Sequence, residues 1–252
     1  MSDMTPASTS LRLTPELVAR VTRVVEDRGL RPSGTPASDA DHQAAIRALF
    51  ATGKASSEVW LFAYGSLIWN PACEIVEQRV GLVHGWHRSF CLGWDIWFRG
   101  GEEQPGLMLS LDRGGQCHGV AYRLPPDAVE ANLLRLFRRE MLVRPSAHVP
   151  RWVTVRTSGG LLRAIAFTID RGSGRYIGGL TAGAVADALA VAVGPWGSMA
   201  EYLQSTVTHL EALGLRDRYL WRLQELVAER IEAATTLPLA SGPGVRPSPP
   251  LS

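Results

Sequence analysis

The sequence predicts an α+β chain: a small barrel or strongly curled sheet, interrupted by one helix and followed by packed helices. Three observations carry this. Six or so short apolar runs with turn spacing lie between residues 59 and 169, the pattern of a small closed sheet. One amphipathic stretch, Pro126 to about Met141, breaks the series. From Thr181 onward the apolar spacing is helical.

Met1 to Ser57 reads as an N-terminal extension, helical and in part disordered. Thr14-Pro15-Glu16 is a helix-start signal, with a capping residue followed by Pro in the first turn. Leu17, Val21, Val24 and Val25 then fall on one face, and Arg31-Pro-Ser-Gly-Thr-Pro-Ala37 ends the helix. A short amphipathic stretch around Ile46, Leu49 and Phe50 is expected to pack on the main body, residues 58–232.

The body opens with Glu58-Val-Trp-Leu-Phe-Ala-Tyr-Gly-Ser-Leu-Ile-Trp-Asn70. Val59 to Tyr64 is an apolar, β-branched and aromatic run, short for a helix and right for a buried strand. Gly65 then permits a turn or close approach that a Cβ would hinder. Successive amides at Gly65, Ser66 and Leu67 can cradle an anion or a developing oxyanion; a plain β-turn gives the same signature. Val80 to Val83, Trp86 to Trp94, Leu107 to Leu111, Val120 to Leu124, Trp152 to Thr157 and Ala164 to Ile169 are the further strands. Arg113-Gly-Gly115 and Ser158-Gly-Gly160 lie between runs and signal hairpins. The helices expected after Thr181 centre on Val185 to Val193, Tyr202 to Leu213 and Arg216 to Ile231. The tail, residues 233–252, is rich in Pro, Ser and Gly from Leu237 and is expected to be disordered.

Charge and composition exclude several functions. The formal net charge is +2 without a basic block, so no nucleic-acid partner is expected. No apolar run is long enough for a bilayer-spanning helix, and no membrane role is expected. Met1 to Ser10 lacks the apolar centre of a secretion signal. Cys73, Cys91 and Cys117 form no CxxC pair, which points to free thiols and the cytosol.

One residue breaks the helical pattern. Val129, Leu133, Leu136 and Phe137 form the apolar stripe of the interrupting helix, and Glu140 follows on the same stripe, while Arg135, Arg138 and Arg139 mostly point elsewhere. A carboxylate there has two readings. It is a structural anchor paired with donors, or it lines a pocket as a general base of raised pKa.

Other candidates carry less. His84-x-x-His87 with Cys73 or Cys91 is a conceivable ligand set, but spacing in strand-like sequence does not converge it, and no metal is expected. Ser66 stands on a strand-to-turn bend without the second glycine of a nucleophile elbow. Arg171-Gly-Ser-Gly174 lacks the Lys and spacing of a phosphate loop and reads as a turn. Phe98-Arg99-Gly100-Gly101 is also a turn, whose Arg99 either meets a carboxylate or is solvated.

The glycine turn and the misplaced acid together resemble the ChaC family of glutathione-specific γ-glutamylcyclotransferases. The matching pieces are Val59-Trp-Leu-Phe-Ala-Tyr-Gly-Ser-Leu-Ile-Trp-Asn-Pro71, Gly85-Trp-His-Arg-Ser-Phe90, Arg99-Gly100, Pro105-Gly106 and Gly119-Val-Ala-Tyr-Arg-Leu124. Arg138-Arg-Glu-Met141, Tyr176-x-Gly178, Gly194-Pro-x-Gly197 and Glu201-Tyr-Leu203 complete the set, in order from Glu58 to Ile231. The resemblance implies a γ-glutamylcyclotransferase-like small mixed β-barrel with flanking helices. It implies a small-molecule substrate, glutathione or a related γ-glutamyl peptide, converted to 5-oxoproline and a dipeptide without a cofactor. It maps the acid onto Glu140, the substrate loop onto Tyr64, Gly65, Ser66 and Leu67, and a pocket tyrosine onto Tyr176. Cyclisation of other γ-glutamyl amines, or a non-enzymatic regulatory role in transport, are the alternative functions. Departures from the family pattern are Ala63, Phe98, Met199, His148 and a longer Leu142 to His148 segment; each bears on what is accepted beyond the γ-glutamyl group.

Overall fold

The computed structural model describes residues 10–29, 32–53 and 58–236. The chain begins with α1 (Pro15–Val21), β1 (Thr35–Pro36) and α2 (Asp39–Ala51), followed by β2 (Trp60–Ala63) and a 3-10 turn, Ser66–Ile68. Two long strands follow, β3 (Glu77–Asp95) and β4 (Gly106–Arg123), then α3 (Val129–Glu140) and β5 (Val143–Arg144). The hairpin β6 (His148–Thr157) and β7 (Gly160–Ile169) precedes α4 (Ala182–Val191), β8 (Val193–Gly194), β9 (Gly197–Ser198), α5 (Met199–Ala212) and α6 (Arg218–Thr236).

β2, β4, β3, β6 and β7 close a barrel in that order. Neighbours are antiparallel except at the closure, where β7 runs parallel to β2 at Ile165 against Leu61 and to β4 at Thr168 against Leu111. The expected mixed barrel with flanking helices is the fold observed. β2 shows why its sequence is apolar throughout: Trp60, Phe62 and Tyr64 join a cluster drawn from barrel strands alone. Val59, Leu61 and Ala63 join the second cluster, where helices cover the barrel. A strand buried on both faces has no polar side to show. In α3, Leu133, Leu136 and Phe137 are buried against the barrel, and Phe137 meets Phe167 edge-to-face at 5.3 Å.

Two features depart from the sequence-based expectation. Arg113-Gly-Gly115 is not a hairpin turn. It lies inside β4, opposite Gly85 of β3, where the register shifts between His84 and Trp86. Gly85, Gly114 and Gly115 have φ of 81°, 102° and 65°, so the glycines bend one long ribbon instead of ending two short strands. The first helix is also shorter than expected. It stops at Val21, the Thr22 hydroxyl donates back to Val18 O, and Val24 is fully exposed.

The Ser158-Gly-Gly160 hairpin is present between β6 and β7, with Thr157 paired to Gly160. Leu13, Leu17, Val18 and Leu49 are buried in the same core as the helices α3 to α6, and Ile46 and Phe50 pack against it. Residues 233–236, expected in the tail, form the last turn of α6; the tail from Leu237, like Met1 to Thr9, lies outside the described residues. Among the described residues no helix is long and apolar enough to cross a membrane.

Candidate active site

The site is assembled where β2 ends and α3 ends. Tyr64 follows β2 with its side chain in the core, its hydroxyl donating to Phe167 O at 2.7 Å. Its carbonyl accepts from Arg88 Nε at 2.5 Å. Arg88 is itself buried, donating also to His118 O and, at 2.7 Å, to Asp217 Oδ2. A buried guanidinium thus fixes the peptide that enters the turn. Gly65 O then accepts from Ile68 N at 2.9 Å and Ser66 O from Asn70 N at 2.8 Å. A Cβ at Gly65 would sit 3.3 Å from both Leu109 Cδ2 and Tyr202 Oη, so glycine is what lets these groups close on the backbone.

α3 delivers two charged residues to this turn. Arg139 donates from Nη1 to Asn70 O at 2.6 Å and from Nη2 to Ser66 Oγ at 3.0 Å. Its Nε lies 3.3 Å from Glu140 Oε1. Arg139, expected to point mostly away from the apolar stripe, lines the cavity all the same. The helix ends beside the turn, and a long side chain from its flank reaches across. The Glu140 side chain is 14% exposed, with His148 Nδ1 3.6 Å from its Oε2. His148 Nδ1 also lies 3.0 Å from Glu140 O. A carbonyl only accepts, so Nδ1 carries the proton in that contact.

Glu140, Ser66, Arg139 and His148 line one cavity of about 470 Å³. Tyr202 lines it as well; burial pushes its phenol up, with Glu140 adding to that effect, so the hydroxyl stays protonated beside Ser66. Leu92, Phe98, Met108 and Trp196 give the cavity apolar walls, and Arg99 and Arg175 bring positive charge. Arg99 is folded in by Asp95, whose carboxylate accepts from the amides of Trp97, Phe98 and Arg99. It donates to Ser198 O at 3.0 Å, lies 3.6 Å from Glu201 Oε2 and stacks over Tyr202. Burial lowers the pKa of Arg99 and of Arg175 from the ordinary guanidinium value.

Of the loop Tyr64, Gly65, Ser66 and Leu67, Ser66 lines the cavity; Leu67 is buried in the helix-side core. Tyr176 stands behind the cavity wall, bridged to Leu92 and donating to Asp112 Oδ2 at 2.9 Å. Arg171 pairs with the same carboxylate at 2.6 Å. His84 is exposed and His87 contacts Gly114 O at 3.1 Å; among the described residues no group of three or more His, Cys, Asp and Glu side chains could hold a metal ion. Arg175 gave no sequence signal of its own; Tyr202 entered only within a matching piece and His148 only as a departure from the family pattern. Arg175 and Tyr202 reach the site from elements far along the chain, and His148 from the start of β6.

Known proteins resemble this chain over most of its length. A family model described as ChaC-like protein matches residues 59–230. The glutathione-specific γ-glutamylcyclotransferase of Escherichia coli is 40% identical over 175 residues, 69% of this chain and 74% of that protein. Glutathione-specific γ-glutamylcyclotransferase 1 of Homo sapiens is 30% identical over 161 residues, 62% of this chain and 71% of that one. In fold, the crystal structure of the selenomethionine-labelled γ-glutamyl cyclotransferase specific to glutathione from yeast matches with a TM-score of 0.62 at 21% identity, covering 69% of this chain and 97% of that chain. The matched stretch holds the glycine turn, the acid at the end of α3 and the barrel that joins them, and on this the chain belongs to the ChaC-like family.

Proposed function

We propose that this chain is a γ-glutamylcyclotransferase that cleaves glutathione to 5-oxoproline and Cys-Gly. The observation that carries the reading is the meeting of Glu140 with the Ser66 turn in one cavity, linked by Arg139. The curated relatives of known name, matched over most of their length, support the same substrate.

The chemistry asks for few parts. The α-amine and the γ-carbonyl belong to one molecule, so folding them together supplies much of the rate. Glu140 takes a proton from the α-ammonium, and the freed nitrogen attacks the γ-carbonyl carbon. The carbonyl oxygen gains charge beside the turn amides, the Arg139 guanidinium and the Tyr202 hydroxyl. The bond from that carbon to the cysteinyl nitrogen then breaks as that nitrogen takes the proton from Glu140, and the second proton of the ring nitrogen passes by the same carboxylate to the released amine. Atoms balance with neither water consumed nor electrons exchanged.

Tyr64, Gly65 and Leu67 serve the substrate through the backbone of the turn, and Tyr176 through the wall it supports. Arg99 and Arg175 suit the carboxylates of a peptide substrate. The three cysteines are free, and the compartment in keeping with that is the cytosol.

Incubation of the purified protein with glutathione, followed by mass spectrometry, tests the function. Equimolar 5-oxoproline and Cys-Gly are expected. Glutamate in place of 5-oxoproline would mean hydrolysis, and no turnover would overturn the enzymatic reading.

A further inference from the structure

Glu140 is the last residue of α3, and the final carbonyls of a helix lack intrahelical donors. No glycine closes this end: the cap residue Met141 has φ −131° and ψ 64°. Three successive carbonyls instead take donors from elsewhere. Glu140 O is met by His148 Nδ1, Met141 O by His42 Nε2 and Leu142 O by Ala37 N, each at 3.0 Å. Two of the three donors come from residues 32–51, which precede the stretch matched by the family model.

The contact continues on both sides. β1 pairs with β5, Thr35 against Arg144 and Pro36 against Val143. Arg138 forks onto Asp39 at 2.7 and 2.5 Å, and Arg144 meets Asp41 at 2.8 Å. Pro32 is buried and lines the cavity that holds Glu140.

We propose that residues 32–51 are a clamp on the segment that carries Glu140, and that His42 is a positioning residue for its carboxylate. The proposal rests on Glu140 being the base. His42 is 3% exposed and does not line the cavity. Its Nε2 hydrogen caps the carbonyl next to the base. Without that donor a buried carbonyl is left unpaired, and the last turn of α3 is free to fray. Misplacement by about 1 Å costs up to about 10²-fold in rate. The γ-glutamyl group is held mainly at the Ser66 turn, which the clamp does not touch. The effect therefore falls on kcat and spares KM.

Steady-state kinetics on full-length variants, below their melting temperatures, test this. His42→Leu should lower kcat for glutathione about tenfold with KM within about twofold, the worth of one buried hydrogen bond. His42→Gln can still donate to Met141 O and should recover most of that loss. A folded His42→Leu variant with the parent kcat overturns the clamp, as does a Gln variant no better than Leu. Should His42→Leu not fold, the exposed pair takes its place. Asp39→Arg should lower kcat about two- to fivefold, and Asp39→Arg with Arg138→Asp should restore it; parent kcat in Asp39→Arg overturns the proposal. A parent protein that releases no 5-oxoproline overturns the cyclotransferase reading and the clamp with it. Parent turnover with an indifferent His42 overturns the clamp alone.

Discussion

Arg139 Nη2 donates to Ser66 Oγ at 3.0 Å, which ties the end of α3 to the turn after β2. The same guanidinium holds Asn70 O and stands 3.3 Å from Glu140 Oε1. One planar fork therefore sets the acid and the turn at a fixed spacing.

Arg139→Lys keeps the charge and loses the fork. An ammonium can serve one of the three partners at its best distance, not all of them. The expected outcome is a fall in kcat/KM for glutathione of about 10–100-fold, with thermal stability nearly unchanged because the side chain is a quarter exposed. Retention of the parent kcat/KM would show that the spacing is set elsewhere.

Ser66 accepts from an arginine and lies against the protonated Tyr202 hydroxyl. The two groups that meet its hydroxyl are a cation and a phenol, and neither takes its proton. Ser66→Ala should keep turnover within about tenfold of the parent, since the turn amides remain and one charge-assisted hydrogen bond is lost. Loss of nearly all activity, with a trapped acyl-enzyme in the parent, would instead make Ser66 a nucleophile.

The thiols give a pH-dependent expectation. Burial pushes Cys73 and Cys117 up to about 11 and Cys91 up to about 12. A raised thiol pKa means less thiolate at a given pH, and the thiolate is the reactive form. At pH 8 the folded thiols should alkylate with iodoacetamide on the order of 10²-fold more slowly than the unfolded chain, with the rate rising as pH approaches 11. Activity should survive that treatment at pH 8. Rapid labelling of Cys91 or Cys117 in folded protein would contradict the burial seen here.

What the sequence disclosed was local. The glycine after β2 and the acid on the apolar stripe of α3 are visible because each breaks a short-range pattern. The long strands were hidden because Gly85 and Gly114-Gly115 look like turns, and only their pairing across the ribbon shows them to be a bend. Arg139 was hidden because helical spacing speaks of the stripe and not of where a six-atom side chain can reach. His42 was hidden for a different reason: its partner, Met141, is 99 residues away, and no periodicity carries a contact of that range. The barrel could be inferred from strand count and turn spacing, whereas Tyr202 and Arg175 entered the site through the packing of the loop after β7 and of α5.

Glu140→Gln separates a base from an anchor. An anchoring carboxylate is held by donors at hydrogen-bond distance, and its loss costs roughly 3–5 kcal/mol. The Glu140 carboxylate has Arg139 Nε at 3.3 Å and His148 Nδ1 at 3.6 Å, while Arg139 Nη1 and Nη2 meet Asn70 O and Ser66 Oγ and His148 Nδ1 meets Glu140 O; its side chain opens on the cavity. Gln preserves shape and both polar atoms but cannot carry the proton between the α-amine and the leaving nitrogen. Turnover should fall by about 10²–10⁴, the usual worth of general acid–base catalysis. Stability should change by less than about 1 kcal/mol, because a partly desolvated charge is exchanged for a neutral amide. Calorimetry and single-turnover release of 5-oxoproline on the same sample distinguish the two roles. A large loss of stability with proportionate loss of turnover would make Glu140 an anchor; a folded Glu140→Gln protein that cyclises glutathione at the parent rate would remove it from the mechanism altogether.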